Sequence, residues 1–163
     1  MERSYEPVII RDAHIFKTNF AGKEIPPYNP LGRRNFLVSI PDMKVAEDMA
    51  KDGWNIKFPR DPEDGKDPFL SVAVNFDIRP PKIIVESSKG RTRIDEDSVD
   101  MLDWAEITHV DLSINPRYWE DNDGKQRIKA YLRTMRITIF EDELERDLDF
   151  NEPTDGVDDL PFD

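Results

Sequence analysis

The chain has 163 residues, which suffices for one domain with a genuine core, and 37% of them are hydrophobic. It has no cysteine, which excludes disulfides, thiolate metal sites and cysteine nucleophiles. No apolar run approaches the ~20 residues of a membrane span, and the N-terminus lacks the pattern of a signal peptide. We therefore expect a cytoplasmic protein that makes no membrane contact.

The formal net charge of −12 is concentrated at the C-terminal end of the chain. Residues 141–163 contain 11 acidic residues and one basic residue, Arg146, whereas residues 1–140 contain 22 Lys and Arg against 24 Asp and Glu. A terminal block of like charge with little apolar surface is typical of a disordered interaction tail. We predict a folded domain over residues 1–140 and a disordered acidic tail over residues 141–163.

Apolar residues alternate with polar ones along much of the domain, which predicts strands. These predicted strands lie at residues 7–17, 35–40, 54–59, 69–77, 82–87, 105–118 and 126–140. Two short helices are predicted at residues 42–52, between Asp42 as N-cap and Gly53, and at residues 96–104, opened by Asp95. Asp123-Gly124 is a turn signal that joins the last two strands as a hairpin.

This order of elements predicts a mainly β protein. Strands, a short helix and then a long hairpin are typical of a five-stranded OB-type barrel with one or two short helices. Such barrels bind oligonucleotides on one face with the help of their loops. Another all-β barrel or a sandwich fits the periodicity almost as well.

The last predicted strand carries the strongest local signal for function. From Lys125 to Phe140 it contains no acidic residue, and Arg127, Lys129, Tyr131 and Arg133 share one face because side chains alternate along a strand. Near Thr134 the apolar positions change phase, which indicates a bulge. Cations that follow phosphates and rings that stack on bases are what single-stranded nucleic acid requires. An exposed strand kept soluble by Lys and Arg would give the same pattern.

Two further basic segments and the hairpin tip extend this hypothesis. Each combines cations with an aromatic residue in or near the segment. The residues that we predict to contact DNA are Arg33, Arg34, Arg91, Arg93, Tyr118, Trp119, Arg127, Lys129, Tyr131 and Arg133.

Catalysis finds little support in the sequence. The only two histidines, His14 and His109, are far apart along the chain, and no phosphate-binding loop or nucleophile elbow is present. One acidic cluster is compatible with a Mg²⁺-dependent nuclease, although acids at a helix start ordinarily act as caps. It consists of Asp95, Glu96, Asp97, Asp100 and Asp103. We predict a protein that is not an enzyme and needs no cofactor or metal, with a nuclease and an acidic DNA mimic as alternatives.

The chain resembles one family of proteins in two places. Its ending, Asp158-Asp159-Leu160-Pro161-Phe162, is similar to the acidic tip of bacterial single-stranded DNA-binding proteins. Residues 30–140 resemble the OB-fold single-stranded DNA-binding proteins of tailed phages, above all in residues 33–58, PFLSVAVNFD, PPKIIVE and DLSINPRYW.

This resemblance implies a protein that binds and protects single-stranded DNA with little sequence specificity during phage replication and recombination. It also implies that the tip, residues 158–162, recruits replication and recombination proteins, as it does in the bacterial family. The oligomeric state stays open at this stage, and a homo-oligomer is compatible with the sequence.

Overall fold

A computed structural model describes residues 5–61, 65–77 and 79–140 of the chain. The predicted tail, residues 141–163, and its tip at Asp158, Asp159, Leu160, Pro161 and Phe162 lie outside the described residues. The described residues form nine strands, one α-helix and a 3-10 helix at Val99–Asp103. The strands and the helix are β1 Val8–Ile10, β2 Ile15–Asn19, β3 Arg34–Ser39, α1 Met43–Asp52, β4 Ile56–Lys57, β5 Phe69–Val74, β6 Lys82–Ser87, β7 Gly90–Ile94, β8 Glu106–Glu120 and β9 Gln126–Phe140.

The nine strands join one sheet, in the order β1-β8-β9-β5-β3-β2. Strand β4 pairs with β5, and the β6–β7 hairpin is attached to β9. The prediction of a mainly β, OB-type fold is confirmed, although the barrel is not closed and the sheet has nine strands, more than the predicted five.

Strand β9 is the centre of this sheet. One of its edges pairs with β8 along its whole length, in the hairpin that was predicted. The other edge pairs in parallel with β5, at Ala130 and Tyr131, and then with β6, from Thr134 to Thr138. The predicted basic strand is therefore covered on both edges and fixed in position by three neighbours.

The hydrophobic core lies on one side of the sheet because alternate residues of each strand point there. In β9 the buried residues are Ile128, Ala130 and Leu132, and after a change of phase Met135, Ile137 and Ile139. The pairing jumps from Ser113 opposite Thr134 to Ile114 opposite Leu132, which leaves Arg133 without an opposite residue. The predicted bulge is thus confirmed at Arg133.

Both helices contribute buried side chains to the hydrophobic core. In α1 the Asp42 carboxylate accepts hydrogen bonds from the Lys44 and Val45 N–H groups, and the helix ends at Gly53, whose φ of 113° favours glycine. The second predicted helix, residues 96–104, is only the 3-10 turn, which buries Val99 and Leu102. Of the described residues, none belongs to a helix long and apolar enough to cross a membrane.

The two largest differences from the predicted strands are a strand that is split and a strand that was not predicted. The predicted strand 7–17 is two strands at opposite edges of the sheet, because Asp12 has a φ of 49° and turns the chain between them. The Asp12 N–H donates to the Asp111 carboxylate at 2.8 Å, which holds this turn against β8. Strand β7 was not predicted, although Gly90, with a φ of 131°, ends a tight β6–β7 turn.

Candidate nucleic-acid interface

We call the sheet surface opposite the hydrophobic core the outer face. In β9 it carries Arg127, Lys129 and Tyr131, which alternate with the buried Ile128 and Ala130. Arg133 is exposed at the bulge next to them. Four predicted residues are therefore neighbours on one strand, as the alternation indicated.

Strand β8 adds a second row to the outer face. Register pairs place Trp119 opposite Arg127, Arg117 opposite Lys129, and Asn115 opposite Tyr131. Directly opposite residues of antiparallel strands have Cβ atoms about 4.5–5.5 Å apart, so their side chains are in contact range. Trp119, which was predicted, is 50% exposed.

The ring of Tyr131 has two cations near it, on the register pair Lys129 and Arg117. The Lys129 Nζ is 5.2 Å from the ring centroid, and the Arg117 Cζ is 5.8 Å from it. Both distances are within the range of cation–π attraction. This cluster combines a stacking surface with two neighbouring positive charges, which is the combination that binds a base and its phosphates.

The outer face continues across β5, β3 and β2. Ala73 lies beside Tyr131, and Asn35 lies beside Ala73. Four residues before Ala73 on β5, Phe69 meets Phe16 edge to face, with their ring centroids 5.7 Å apart. Lys57 is the register partner of Phe69 on β4. Half-buried aromatic rings with a neighbouring cation thus occur at both ends of this face.

The β6–β7 hairpin brings Arg91 and Arg93 to the same face. Arg93 pairs in register with Ile84, and Ile84 pairs with Arg136 of β9. Arg91 forms an ion pair with Glu86, with the Nε and Oε1 atoms 2.8 Å apart. Part of the charge in this region is therefore compensated within the protein, and Arg93 is the more exposed of the two predicted arginines.

A buried carboxylate stabilises the β8–β9 part of the sheet. Asp111 is 4% exposed, and its carboxylate lies 3.2 Å from Arg136 and 3.2 Å from the His109 ring. The second ring nitrogen of His109 lies 3.3 Å from Asp12. Burial by itself raises the pKa of Asp111, but the Asp12 N–H, His109 and Arg136 outweigh it, so this pKa lies below its ordinary value.

The hairpin tip is shaped by Asp121. Its carboxylate accepts hydrogen bonds from the Asp123 and Lys125 N–H groups and pairs with the Arg127 Nε at 2.9 Å. These hydrogen bonds, led by that from Lys125, keep the pKa of Asp121 below its ordinary value. Gly124 follows with a φ of 79°. Arg127 is thereby held in place beside Trp119.

Three predicted residues lie elsewhere. Tyr118 points to the core side of β8, where it packs against core residues and meets Tyr5 edge to face at 5.5 Å. Arg34 is in phase with the buried Phe36, stacks over Phe76 at 5.6 Å and pairs with Glu96 at 3.4 Å. Arg33 is exposed in the loop before β3. The ten predicted residues therefore do not all share one surface.

The acidic segment before β8 has structural contacts of its own. The Asp103 carboxylate accepts hydrogen bonds from the Phe20 and Ala21 N–H groups, and the Asp95 carboxylate accepts from the Asp97 N–H. Within the described ranges, no three His, Asp or Glu side chains converge as a metal site. These contacts are those of a local turn at Asp95 and a loop anchor at Asp103.

A cavity of about 510 Å³ opens beside Tyr131. It lies between the connection that follows β5 and the residues of β8 that extend beyond its pairing with β1. Its lining consists of Tyr5, Asn75, Arg79, Asn115, Pro116, Arg117, Tyr118, Tyr131 and Leu132. Tyr118 and Tyr131 both reach this cavity although they point to opposite sides of the sheet.

Sequence reasoning missed several residues of the outer face. Arg117 and Asn115 share the phase of Trp119 in β8, so a strict reading of the alternation would have found them and separated Tyr118 from them. Phe69 similarly alternates with the buried Leu70. No local signal marks Arg79, which reaches the cavity through the fold.

An open OB-type sheet with cations and rings along one face is typical of proteins that bind single-stranded nucleic acid. The chain matches the family model described as "Putative phage ssDNA-binding domain" over residues 1–155, and it belongs to this family. The predicted resemblance to phage single-stranded DNA-binding proteins is therefore confirmed. The family's description names a binding domain and not an enzyme, in agreement with the sequence prediction.

A bacteriophage protein is among the solved structures with a similar fold. The single-stranded DNA-binding protein of bacteriophage Enc34 is 13% identical, with a TM-score of 0.50, over 80% of this chain and 79% of that one. The same protein in complex with ssDNA is 12% identical, with a TM-score of 0.51, over 84% of this chain and 87% of that one. At these identities the likeness concerns the fold. No curated protein matches the chain.

Proposed function

We propose that this protein binds single-stranded DNA along the outer face of its sheet, with little sequence preference over most of the bound strand. The observation that carries the proposal is the pair of cations at the Tyr131 ring, with the Lys129 Nζ 5.2 Å and the Arg117 Cζ 5.8 Å from its centroid. A base that stacks on this ring leaves its phosphates within reach of both cations. Family membership supports the same function, as does the complex of the similarly folded Enc34 protein with ssDNA.

The outer face favours a single strand over a duplex. Rings contribute about 1–3 kcal/mol per stacked base, but only when the base is unpaired. Between Tyr131 and Phe69 lie the small residues Ala73 and Ser71, flanked by Asn35 and Leu37, and small residues let a backbone approach closely. An OB-type domain typically covers about 4–16 nucleotides.

The charge of the outer face argues against the acidic-mimic alternative. A mimic places carboxylates where a nucleic acid has phosphates. Here the carboxylates of Asp111, Asp121 and Glu86 are each paired with an arginine, and Arg117, Lys129 and Arg133 lie between them. The face therefore suits a polyanionic ligand.

The predicted domain over residues 1–140 and the predicted tail over residues 141–163 have separate roles in this proposal. The tail recruits replication or recombination proteins through Asp158, Asp159, Leu160, Pro161 and Phe162. Its chemistry supports this, since Phe162 can enter an apolar pocket while the aspartates meet a basic rim. We place this activity in the cytoplasm of the phage's host.

A charge-reversal pair tests the DNA-binding face. Arg117→Glu with Lys129→Glu changes the charge on the outer face by four units, and Lys44→Glu with Lys51→Glu makes the same change on exposed positions of α1. Fluorescence anisotropy with labelled oligo-dT, with and without unlabelled duplex, measures the affinity. We expect at least a tenfold loss for the first variant and a much smaller loss for the second. Equal losses would show that only net charge matters, and a preference for duplex would overturn the proposal.

A further inference from the structure

The cavity beside Tyr131 has the size and position of a ligand subsite. Its volume of about 510 Å³ lies within the range of small-molecule sites. Asn75 and Arg79 approach it from the connection after β5, and Asn115 and Arg117 approach it from β8. Its chemistry therefore comes from two separate parts of the chain that the sheet brings together.

Three kinds of side chain line this cavity. The rings of Tyr5, Tyr118 and Tyr131 supply flat apolar surface, and the first two are fixed edge to face at 5.5 Å. Asn75 and Asn115 supply carboxamides, of which the Asn75 Oδ1 already accepts a hydrogen bond from the Asp77 N–H at 2.8 Å. A cavity that served only to bind backbone phosphates would need neither the rings nor the amides.

Two arginines from different parts of the chain line the cavity. Arg117 is held over the Tyr131 ring at 5.8 Å, and Arg79 reaches the cavity from the other segment. A guanidinium binds phosphate with paired hydrogen bonds. The cavity can thus hold a base in its interior and the adjoining phosphates at its rim.

We propose that this cavity takes one unpaired nucleobase out of the bound strand and reads its edge with Asn75 and Asn115. This inference rests on the proposed single-stranded DNA binding and adds a single selective position to it. Asn115 is the cross-strand neighbour of Tyr131, so its amide stands beside the ring on which the strand stacks. An asparagine carboxamide matches the N6 and N7 atoms of adenine, so adenine is the preferred base.

The preference can be measured on an oligo-dT of the minimal length that the protein binds. A single dA is placed at each position in turn, and each oligonucleotide is titrated against the full chain. We expect one position at which dA tightens binding about tenfold over dT, because one good bidentate contact discriminates by about that factor or more. The other positions should differ by less than a factor of two.

Variants separate this site from the general binding face. Asn115→Ala and Asn75→Ala should each remove the preference for dA over dT at that position, while oligo-dT is still bound. Lys129→Ala lies outside the cavity lining and should weaken every oligonucleotide while it keeps the ratio of dA to dT. Asn75 lies after β5 and outside any strand, so Asn75→Ala also serves if Asn115→Ala fails to fold.

The possible failures are distinguishable. Tight binding of every oligonucleotide with a flat scan would overturn the nucleobase site and leave the proposed function intact. A preferred position that survives in both asparagine variants would also overturn it. Absence of binding to any of the oligonucleotides would overturn the proposed function itself.

Discussion

Replacement of Tyr131 by alanine tests the outer face at its central ring. The side chain is half-buried on the surface opposite the core, with Lys129 and Arg117 within 6 Å of its centroid. Loss of one stacked base costs about 1–3 kcal/mol, which corresponds to a Kd about 5- to 150-fold higher. The substitution should cost no more than about 1 kcal/mol of folding stability, because the ring is not part of the core. Tyr131→Phe keeps the ring and should stay within a few-fold of the native affinity.

Anisotropy titration with labelled oligo-dT at one salt concentration gives the affinities, and thermal unfolding of the same samples gives the stability. Trp104→Ala is a matched control, because Trp104 is 66% exposed and follows the acidic 3-10 turn instead of lying on the outer face. The reasoning is refuted if Tyr131→Ala binds as tightly as the native protein. It is also refuted if Tyr131→Ala lowers the Tm as much as Leu132→Ala, a substitution in the core.

Other predictions concern charge. With Arg117, Lys129 and Arg133 on phosphates and Arg127 shared with Asp121, log K against log salt concentration should slope at about −2 to −3, from ~0.7 per contact; a salt-independent Kd would contradict this. Asp111→Asn should cost about 3 kcal/mol at pH 7 by urea unfolding. Because the folded pKa of Asp111 is lowered, its contribution is complete above the unfolded value of about 3.9 and lost as pH falls through the folded pKa, so variant and native stabilities should converge in acid. If Asp111→Asn loses as much folding stability in acid as at pH 7, the loss does not come from the ionised Asp111 carboxylate. Deletion of residues 141–163 should tighten DNA binding, most at low salt, because a tethered polyanion competes for the basic face; weaker binding would contradict it.

Periodicity alone predicted much of the sheet. The hairpin of β8 and β9, the bulge near Thr134 and helix α1 depend on local rules, namely alternation, turn chemistry and capping, and the structure agrees with each. The split of residues 7–17 was not predictable in this way. It depends on the contact of Asp12 with Asp111, which lies 99 residues further along the chain.

The same distinction between local rules and distant contacts applies to the candidate site. Alternation correctly grouped Arg127, Lys129 and Tyr131, because a strand fixes which side chains share a face. It could not show that Arg34 is engaged by Phe76 and Glu96, since those contacts join distant segments. The cavity is the extreme case, since its two walls meet only once the sheet has formed.

The central place of β9 has a consequence for how the protein is made. This strand is the last one described along the chain, yet β5, β6 and β8 all pair with it. A nascent chain that has not yet released residues 126–140 from the ribosome has no partner for these edges, and such distant parallel pairings form slowly. The core and the outer face are therefore completed in the same final event, once residues 126–140 have left the ribosome.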